Sequence, residues 1–134
     1  VVLGDGYIKA DLGENGDYYV EAQKIARQVQ IISPFKQYAE HMNIFIIYAE
    51  SNERGADDSP EIEIVDTVFD SCYGHYGIRR LLYLKNYDVM EEYLKLIPGK
   101  VDGVILTVND TRYGGGGANM LLFQKATLPQ LTMN

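Results

Sequence analysis

The stretch Ile44-Phe45-Ile46-Ile47-Tyr48-Ala49 decides the fold class of this chain. Its β-branched and aromatic residues, with no polar residue between them, are typical of a buried strand. Val101 to Val108 predicts a second buried strand. Val1-Val2-Leu3 predicts a third, short strand that stops at Gly4-Asp5-Gly6. The sheet therefore draws on residues from both ends of the sequence.

Helical patterns separate these strands. Residues 17–32 predict an amphipathic helix because their apolar residues recur on one helix face. Those residues are Tyr18, Ala22, Ile25, Ala26, Val29 and Ile32. Ser33-Pro34 supplies an N-cap and a first-turn proline for a second helix through about Met42. Asp88 caps a third predicted helix through about Ile97, which Pro98-Gly99 stops.

Polar and glycine-rich stretches supply the connections. Residues 51–61 have loop composition, residues 62–77 favour no element, and Thr111 to Gly117 predicts a glycine-rich turn. Leu81 to Leu84 and Ala118 to Phe123 predict two more short strands. The alternation of strands and helices predicts an α/β layered sheet. We expect residues 1–134 to form one domain, or the N-terminal part of one.

Composition excludes several classes of partner. The 134 residues contain 12 Lys and Arg against 19 Asp and Glu, a formal charge of −7. A domain this acidic repels phosphate backbones and lacks the basic stripe that attracts anionic lipid, so we expect no nucleic-acid or membrane partner. No apolar run approaches the roughly 20 residues of a membrane helix. Cys72 is the single cysteine, which favours a buried small hydrophobe over a nucleophile paired with His75.

Two glycine motifs suggest phosphate binding, and neither has the full pattern. Gly4 and Gly6 follow a strand, but Lys9 stands where a third glycine is needed and the helix begins too late. A tight turn explains them better than a dinucleotide. Gly114 to Gly117 lacks the Lys-Ser/Thr pair of a phosphate loop. It predicts either a flexible hairpin or a close approach between backbone and ligand.

Neither the acidic residues nor the histidines form a recognisable metal motif. The acidic cluster, which does not match an EF-hand, favours a solvated loop over a calcium site. Its members are Asn52, Glu53, Asp57, Asp58, Glu61, Glu63 and Asp66. His41 and His75 are the only histidines, and no His-Glu-x-x-His occurs. By composition and spacing alone, the chain is an α/β domain without a visible active site.

Several short segments in a shared order give the chain a family resemblance. They are Leu3-Gly4-Asp5-Gly6-Tyr7, Pro34-Phe35-Lys36-Gln37-Tyr38 leading to Asn43-Ile44, Ser51-Asn52-Glu53-Arg54-Gly55-Ala56-Asp57, Asp66-Thr67-Val68-Phe69 with Tyr73-Gly74, Arg80-Leu81-Leu82-Tyr83, and Val108-Asn109 with Tyr113-Gly114-Gly115. Together they resemble the IgA-specific metalloendopeptidase family, which is family sixty-four of the metallopeptidases.

The resemblance implies a zincin-like upper subdomain, with a mixed sheet and flanking helices, from a secreted or cell-envelope zinc peptidase. In this family the zinc-binding His-Glu-x-x-His helix follows the glycine-rich segment. We therefore expect the chain to be an incomplete, N-terminal part of the catalytic domain that binds no zinc and is inactive alone. An exposed face can then support self-association. No signal peptide is visible.

The resemblance also implies a substrate-binding segment at Tyr113, Gly114, Gly115, Gly116 and Gly117, where an extended peptide or protein substrate would pair with a sheet edge. No catalytic residue and no metal ligand can be assigned. The alternative is a stand-alone, non-catalytic α/β domain that binds a peptide or protein.

Overall fold

The computed structural model describes residues 1–31, 42–59, 64–74, 77–79, 81–110, 115–117 and 121–124. Its architecture is a small mixed α/β fold. In chain order the elements are β1 (Val2–Asp5), a 3-10 helix (Lys9–Asp11), α1 (Asp17–Ile31), β2 (Ser71–Cys72), β3 (Tyr83–Leu84), α2 (Tyr87–Leu94), β4 (Ile105–Val108), β5 (Gly115–Gly117) and β6 (Leu121–Gln124).

Four strands form the main sheet in the order β1-β4-β6-β5. β1, β4 and β6 run parallel, and β5 is antiparallel to β6. One level of the ladder runs through Gly4, Thr107, Phe123 and Gly115. The sheet is therefore mixed as expected, with its one antiparallel strand at an edge.

The stretch 44–49 lies beside β1 but is not the fully buried strand that its composition predicts. The N–H of Val2 donates to the carbonyl of Phe45 at 2.8 Å, and the N–H of Ile47 donates to the carbonyl of Val2 at 3.0 Å. Ile47 is buried, whereas Phe45 and Tyr48 are 37% and 41% exposed. The prediction failed because Phe45 and Tyr48 stay partly exposed and the stretch makes only a single parallel bridge with β1.

β4 is shorter than the predicted strand at 101–108. Asp102 and Gly103 are exposed and precede the ladder, which begins at Ile105. Gly103 instead accepts a hydrogen bond from the amino terminus of Val1 at 2.9 Å. Glycine and aspartate are poor strand formers, so the regular ladder is confined to the apolar end of the run.

Helix α1 confirms the amphipathic pattern, with Tyr18, Ala22 and Ile25 buried. The predicted helix at 33–42 falls almost wholly outside the described residues, and its last residue, Met42, is not helical. Helix α2 is shorter than predicted. Its N-cap is Asn86, so Asp88 lies in the first turn and does not cap the helix.

Apolar clusters cover both faces of β1. Leu3 packs with Phe69, Leu82, Met90 and Leu106, whereas Val2 packs with the residues of α1 on the opposite face. This alternation follows from the two-residue period of a strand. The small antiparallel sheet of β2 and β3, which pairs Ser71 with Leu84, lies in sequence between the main-sheet strands β1 and β4. The strand predicted at Leu81 to Leu84 is thus confirmed in part, because β3 spans Tyr83–Leu84.

Candidate functional site

Within the described residues, one outer edge of the main sheet is a strand of three consecutive glycines. β5 pairs antiparallel with β6, with Gly115 opposite Phe123, Gly116 opposite Leu122 and Gly117 opposite Leu121. No other strand within the described residues pairs with β5. An edge strand presents backbone N–H and C=O groups to any chain that can lie beside it. This is the arrangement that receives an extended peptide by β-augmentation.

The predicted glycine-rich turn is therefore wrong at Gly115–Gly117, which form a strand. Glycine is depleted in strands because it lacks a side chain to pack, so its own propensity favoured a turn. The ladder with β6 overrides that propensity. Of the five predicted substrate-binding residues, Tyr113 and Gly114 lie outside the described residues. The predicted strand 118–123 is confirmed in part, because β6 spans Leu121–Gln124.

The chain leaves β4 at an anchored residue. The backbone N–H of Asn109 donates to the carbonyl of Asp5 at 2.9 Å. Its side-chain Nδ2 donates to the carbonyl of Gly6, also at 2.9 Å. Asn109 thus ties the end of β4 to the turn after β1, and from there the sequence continues toward β5.

The turn after β1 is filled by its own chain. Gly6 has a φ of +79°, and a Cβ added to it would stand 2.5 Å from the carbonyl oxygen of Gly55. The N–H of Gly6 donates to Oγ of Ser51 at 3.1 Å. A bound pyrophosphate would need the space that Gly55 occupies and the Gly6 N–H that Ser51 accepts. The geometry supports the tight turn and argues against dinucleotide binding at Gly4 and Gly6.

Asp5, at the end of β1, is fully buried. Its carboxylate accepts hydrogen bonds from Thr67 Oγ1 and the Ser71 N–H at 2.8 Å, and from the Phe69 N–H at 2.9 Å. Burial raises the pKa of Asp5, and these hydrogen bonds oppose that rise. Asp5 therefore holds the segment 67–71 against the main sheet.

The acidic loop is not simply solvated. Asp57 is fully buried, and its carboxylate accepts from Lys85 Nζ at 3.0 Å and from the N–H groups of Ile64 and Val65. Burial alone would raise the pKa of Asp57, but these hydrogen bonds outweigh it and lower that pKa. Two further acidic residues form hydrogen bonds within the loop. The Asp66 carboxylate accepts from Nδ2 of Asn52, and the Asp66 N–H donates to the Glu53 carboxylate.

The described part of the chain holds no group of three His, Cys, Asp or Glu side chains that could bind a metal ion. His41 and His75 lie outside that part. Cys72 is buried, and burial raises the pKa of its thiol, which agrees with a small hydrophobe and not with a nucleophile.

Comparison with known families tests the resemblance carried by these segments. The model of the IgA Peptidase M64 family matches residues 1–130. The chain belongs to this family. It is therefore a member of a metallopeptidase family, and the resemblance seen in the sequence is confirmed. No curated protein matches the chain.

Membership of the M64 family implies zinc in the intact enzyme, but the described residues do not fit that metal, because they bring no three ligands together. What the described part of the M64 chain offers is the sheet edge at β5 and a hydrogen-bonded turn after β1. No helix within the described ranges is long and apolar enough to cross a membrane.

The hydrogen-bonding residues around the turn after β1 escaped prediction from the sequence. Asp5, Ser51 and Asn109 all lie in segments that carry the family resemblance, yet each is polar and was assigned no role. Their position was the available signal, because each stands one or two residues after a predicted strand. Only contacts such as the hydrogen bonds that join Ser51 and Asn109 to Gly6, between residues 45 and 103 positions apart, reveal what they do.

Proposed function

We propose that this chain forms the substrate-binding wall of a zincin-like zinc metallopeptidase, in which β5 binds an extended peptide along its outer edge. The single observation that carries this proposal is an antiparallel edge strand made only of glycine, Gly115–Gly117. Family membership supplies the substrate class, a peptide or protein.

Glycine suits this role for a physical reason. A strand places successive side chains on opposite faces, and any side chain at the edge narrows the space into which a second backbone and its substituents must fit. With no Cβ at three successive positions, β5 itself places no side chain on either face beside the peptide. The binding energy then comes from backbone hydrogen bonds, each contributing about 0.5–1.5 kcal/mol net.

The catalytic chemistry belongs to groups outside the described residues. The proposal therefore assigns binding and orientation to this chain, and zinc to the intact enzyme. Tested alone, the 134 residues would bind peptide without hydrolysing it. Family resemblance also supports export from the cell as part of this proposal.

An ester scan of a peptide substrate, measured with the complete peptidase, tests edge pairing. Replacing one substrate amide by an ester removes one N–H donor without adding a side chain. In a strand only alternate N–H groups face the neighbouring strand. We expect kcat/KM to fall about 3- to 10-fold at alternate substrate positions, the size of one lost hydrogen bond.

Two valine variants give a matched control on the protein side. Gly115→Val and Gly116→Val insert the same side chain on opposite faces of one strand. If a peptide lies in a cleft on one face, one variant raises KM much more than the other. A flat ester scan, together with equal effects of both variants, would contradict edge binding. Position-dependent binding without any cleavage by the complete protein would favour the stand-alone binding domain.

A further inference from the structure

Strand β6, and not β5, has the side chains nearest to the glycine edge. Each glycine of β5 stands opposite an apolar residue of β6 in the antiparallel ladder. Because glycine has no side chain, a peptide on the outer edge of β5 first meets side chains of the described sheet one strand further in. The opposed pairs are Gly115 with Phe123, Gly116 with Leu122 and Gly117 with Leu121.

The ladder places position 123 on the same face of the sheet as Thr107. Thr107 of β4 is level with Phe123 of β6, and Gly115 of β5 continues that level outward. Residues directly opposite each other across paired strands share one face of the sheet. Thr107 is fully buried, so this face is shielded from water beside position 123. A peptide residue opposite Gly115 would belong to the same face.

The spacing of strands decides which residue of β6 could act across the glycine strand. A peptide paired with β5 would lie two strand spacings from β6, about 10 Å. Aromatic side chains reach neighbours roughly 7–8 Å away in a sheet, and a large substrate side chain covers the remaining distance from its own side. Aromatic residues also cover glycines in neighbouring strands. Of the three residues opposite β5, Phe123 is the only aromatic one.

We infer that Phe123 selects a large apolar side chain at the substrate residue opposite Gly115, and that the glycine leaves the path between the two side chains open. The inference rests on the proposed pairing between β5 and a peptide. Contact between two apolar side chains removes their surface from water, which favours a large substrate side chain over alanine. Adjacent substrate residues belong to the opposite face, so the selection applies to a single position.

A substrate series measured with the complete peptidase tests this selection. Each residue of a peptide substrate is changed in turn from leucine to alanine, and kcat/KM is measured for the wild-type enzyme and for Phe123→Ala. We expect one position at which the wild-type enzyme prefers leucine about 10-fold, as an apolar pocket does. In Phe123→Ala the preference at that position falls to about 2-fold or less, and preferences elsewhere remain.

Two glycine variants give a test that leaves Phe123 in place. Gly115→Ala inserts a methyl group between Phe123 and the peptide, so we expect the same preference to be lost. Gly117→Ala is the matched control, because it makes the same change on the same face, two residues away and opposite Leu121. Whatever its effect on overall turnover, Gly117→Ala keeps the ratio of leucine to alanine at the position that depends on Phe123.

Thermal unfolding of each variant separates selection from a purely structural role of Phe123. A residue that only stabilises the sheet lowers kcat/KM for all substrates alike when it is truncated. Phe123→Tyr keeps the ring, so we expect it to retain the preference. If Phe123→Ala does not fold, Phe123→Leu replaces it and reduces the preference in part, and Gly115→Ala remains an independent test.

The outcomes distinguish this inference from the proposed function. A flat ester scan in the wild-type enzyme overturns edge pairing and, with it, the role of Phe123. A patterned ester scan overturns only the role of Phe123 if the leucine preference survives in both Phe123→Ala and Gly115→Ala. A uniform loss over all substrate positions in Phe123→Ala, in proportion to its loss of stability, also overturns that role.

Discussion

Gly6 and Gly55 pack backbone against backbone. A Cβ on Gly6 would lie 2.5 Å from the carbonyl oxygen of Gly55 and 2.9 Å from its nitrogen. Both residues have positive φ, +79° and +106°, which side chains rarely tolerate. The contact joins the turn after β1 to the loop that contains Ser51.

Replacing Gly6 by alanine tests this contact. We expect Gly6→Ala to lower the free energy of unfolding by about 2–4 kcal/mol, because it combines a strained φ with a clash against backbone. The measurement is chemical denaturation of the purified chain. Gly13→Ala is the control, since a Cβ there meets nothing within 4 Å. Equal stability of the two variants would contradict the packing described.

The pair of Asp57 and Lys85 should make stability depend on pH. The pKa of Asp57 is lowered from 3.8, so its contribution is present above pH 3.8 and is lost as pH falls through the folded-state pKa. We expect Asp57→Asn to cost about 2–4 kcal/mol at pH 7 and less as the solution is acidified below pH 3.8. Denaturation at a series of pH values measures the difference.

Helix α2 offers the control for this pair. Glu92 and Lys95 lie 2.9 Å apart, with side chains 69% and 72% exposed. We expect Glu92→Gln to change stability by less than about 0.5 kcal/mol, as exposed pairs usually do. If the loss of unfolding free energy in Asp57→Asn stays constant from pH 7 to pH 3, the charge of Asp57 is not what stabilises the fold.

Asp5 should show the opposite dependence on pH. Burial raises its pKa above 3.8, so its contribution is fully present below pH 3.8 and is lost as pH rises through the folded-state pKa. We expect Asp5→Asn to have a lower free energy of unfolding than the wild-type chain, and this difference to narrow as pH rises. The same denaturation series measures this difference in the free energy of unfolding. A difference that widens as pH rises would contradict a raised pKa for Asp5.

Asp5→Ala tests the hydrogen bonds of Asp5, because it removes the whole carboxylate and not only its charge. It leaves the donors of Thr67, Phe69 and Ser71 without their acceptor and opens a cavity. We expect a loss of about 3–5 kcal/mol, larger than for Asp5→Asn. If Asp5→Ala is as stable as Asp5→Asn, the three hydrogen bonds do not hold the segment 67–71.

Residues with local periodicity were predicted well. The spacing of Tyr18, Ala22 and Ile25 indicated one helix face, and α1 buries those three side chains. The apolar end of the stretch 101–108 became β4. Such patterns are legible because burial on one face repeats with the period of the element itself.

Residues whose role depends on a distant partner were not predictable. Asp57 belongs to an acidic run that is typical of a solvated loop. Its buried carboxylate is nevertheless stabilised by an ion pair with Lys85, 28 positions later. Phe45 and Tyr48 have the composition of a buried strand, but both side chains are left partly exposed. Composition describes a residue, whereas burial depends on what the rest of the chain places beside it.

The sequence by itself determined the α/β class, helix α1, most of β1 and β4, and membership of the M64 family, because each depends on local pattern or on the order of short segments. Only the tertiary structure decided that Gly115–Gly117 form an edge strand and that Asn109 is tied to the turn at Gly6. Glycine carries no side-chain pattern, and its conformation comes from the strand that pairs with it. A hydrogen bond across 103 positions likewise exists only after the sheet has brought β1 and β4 together.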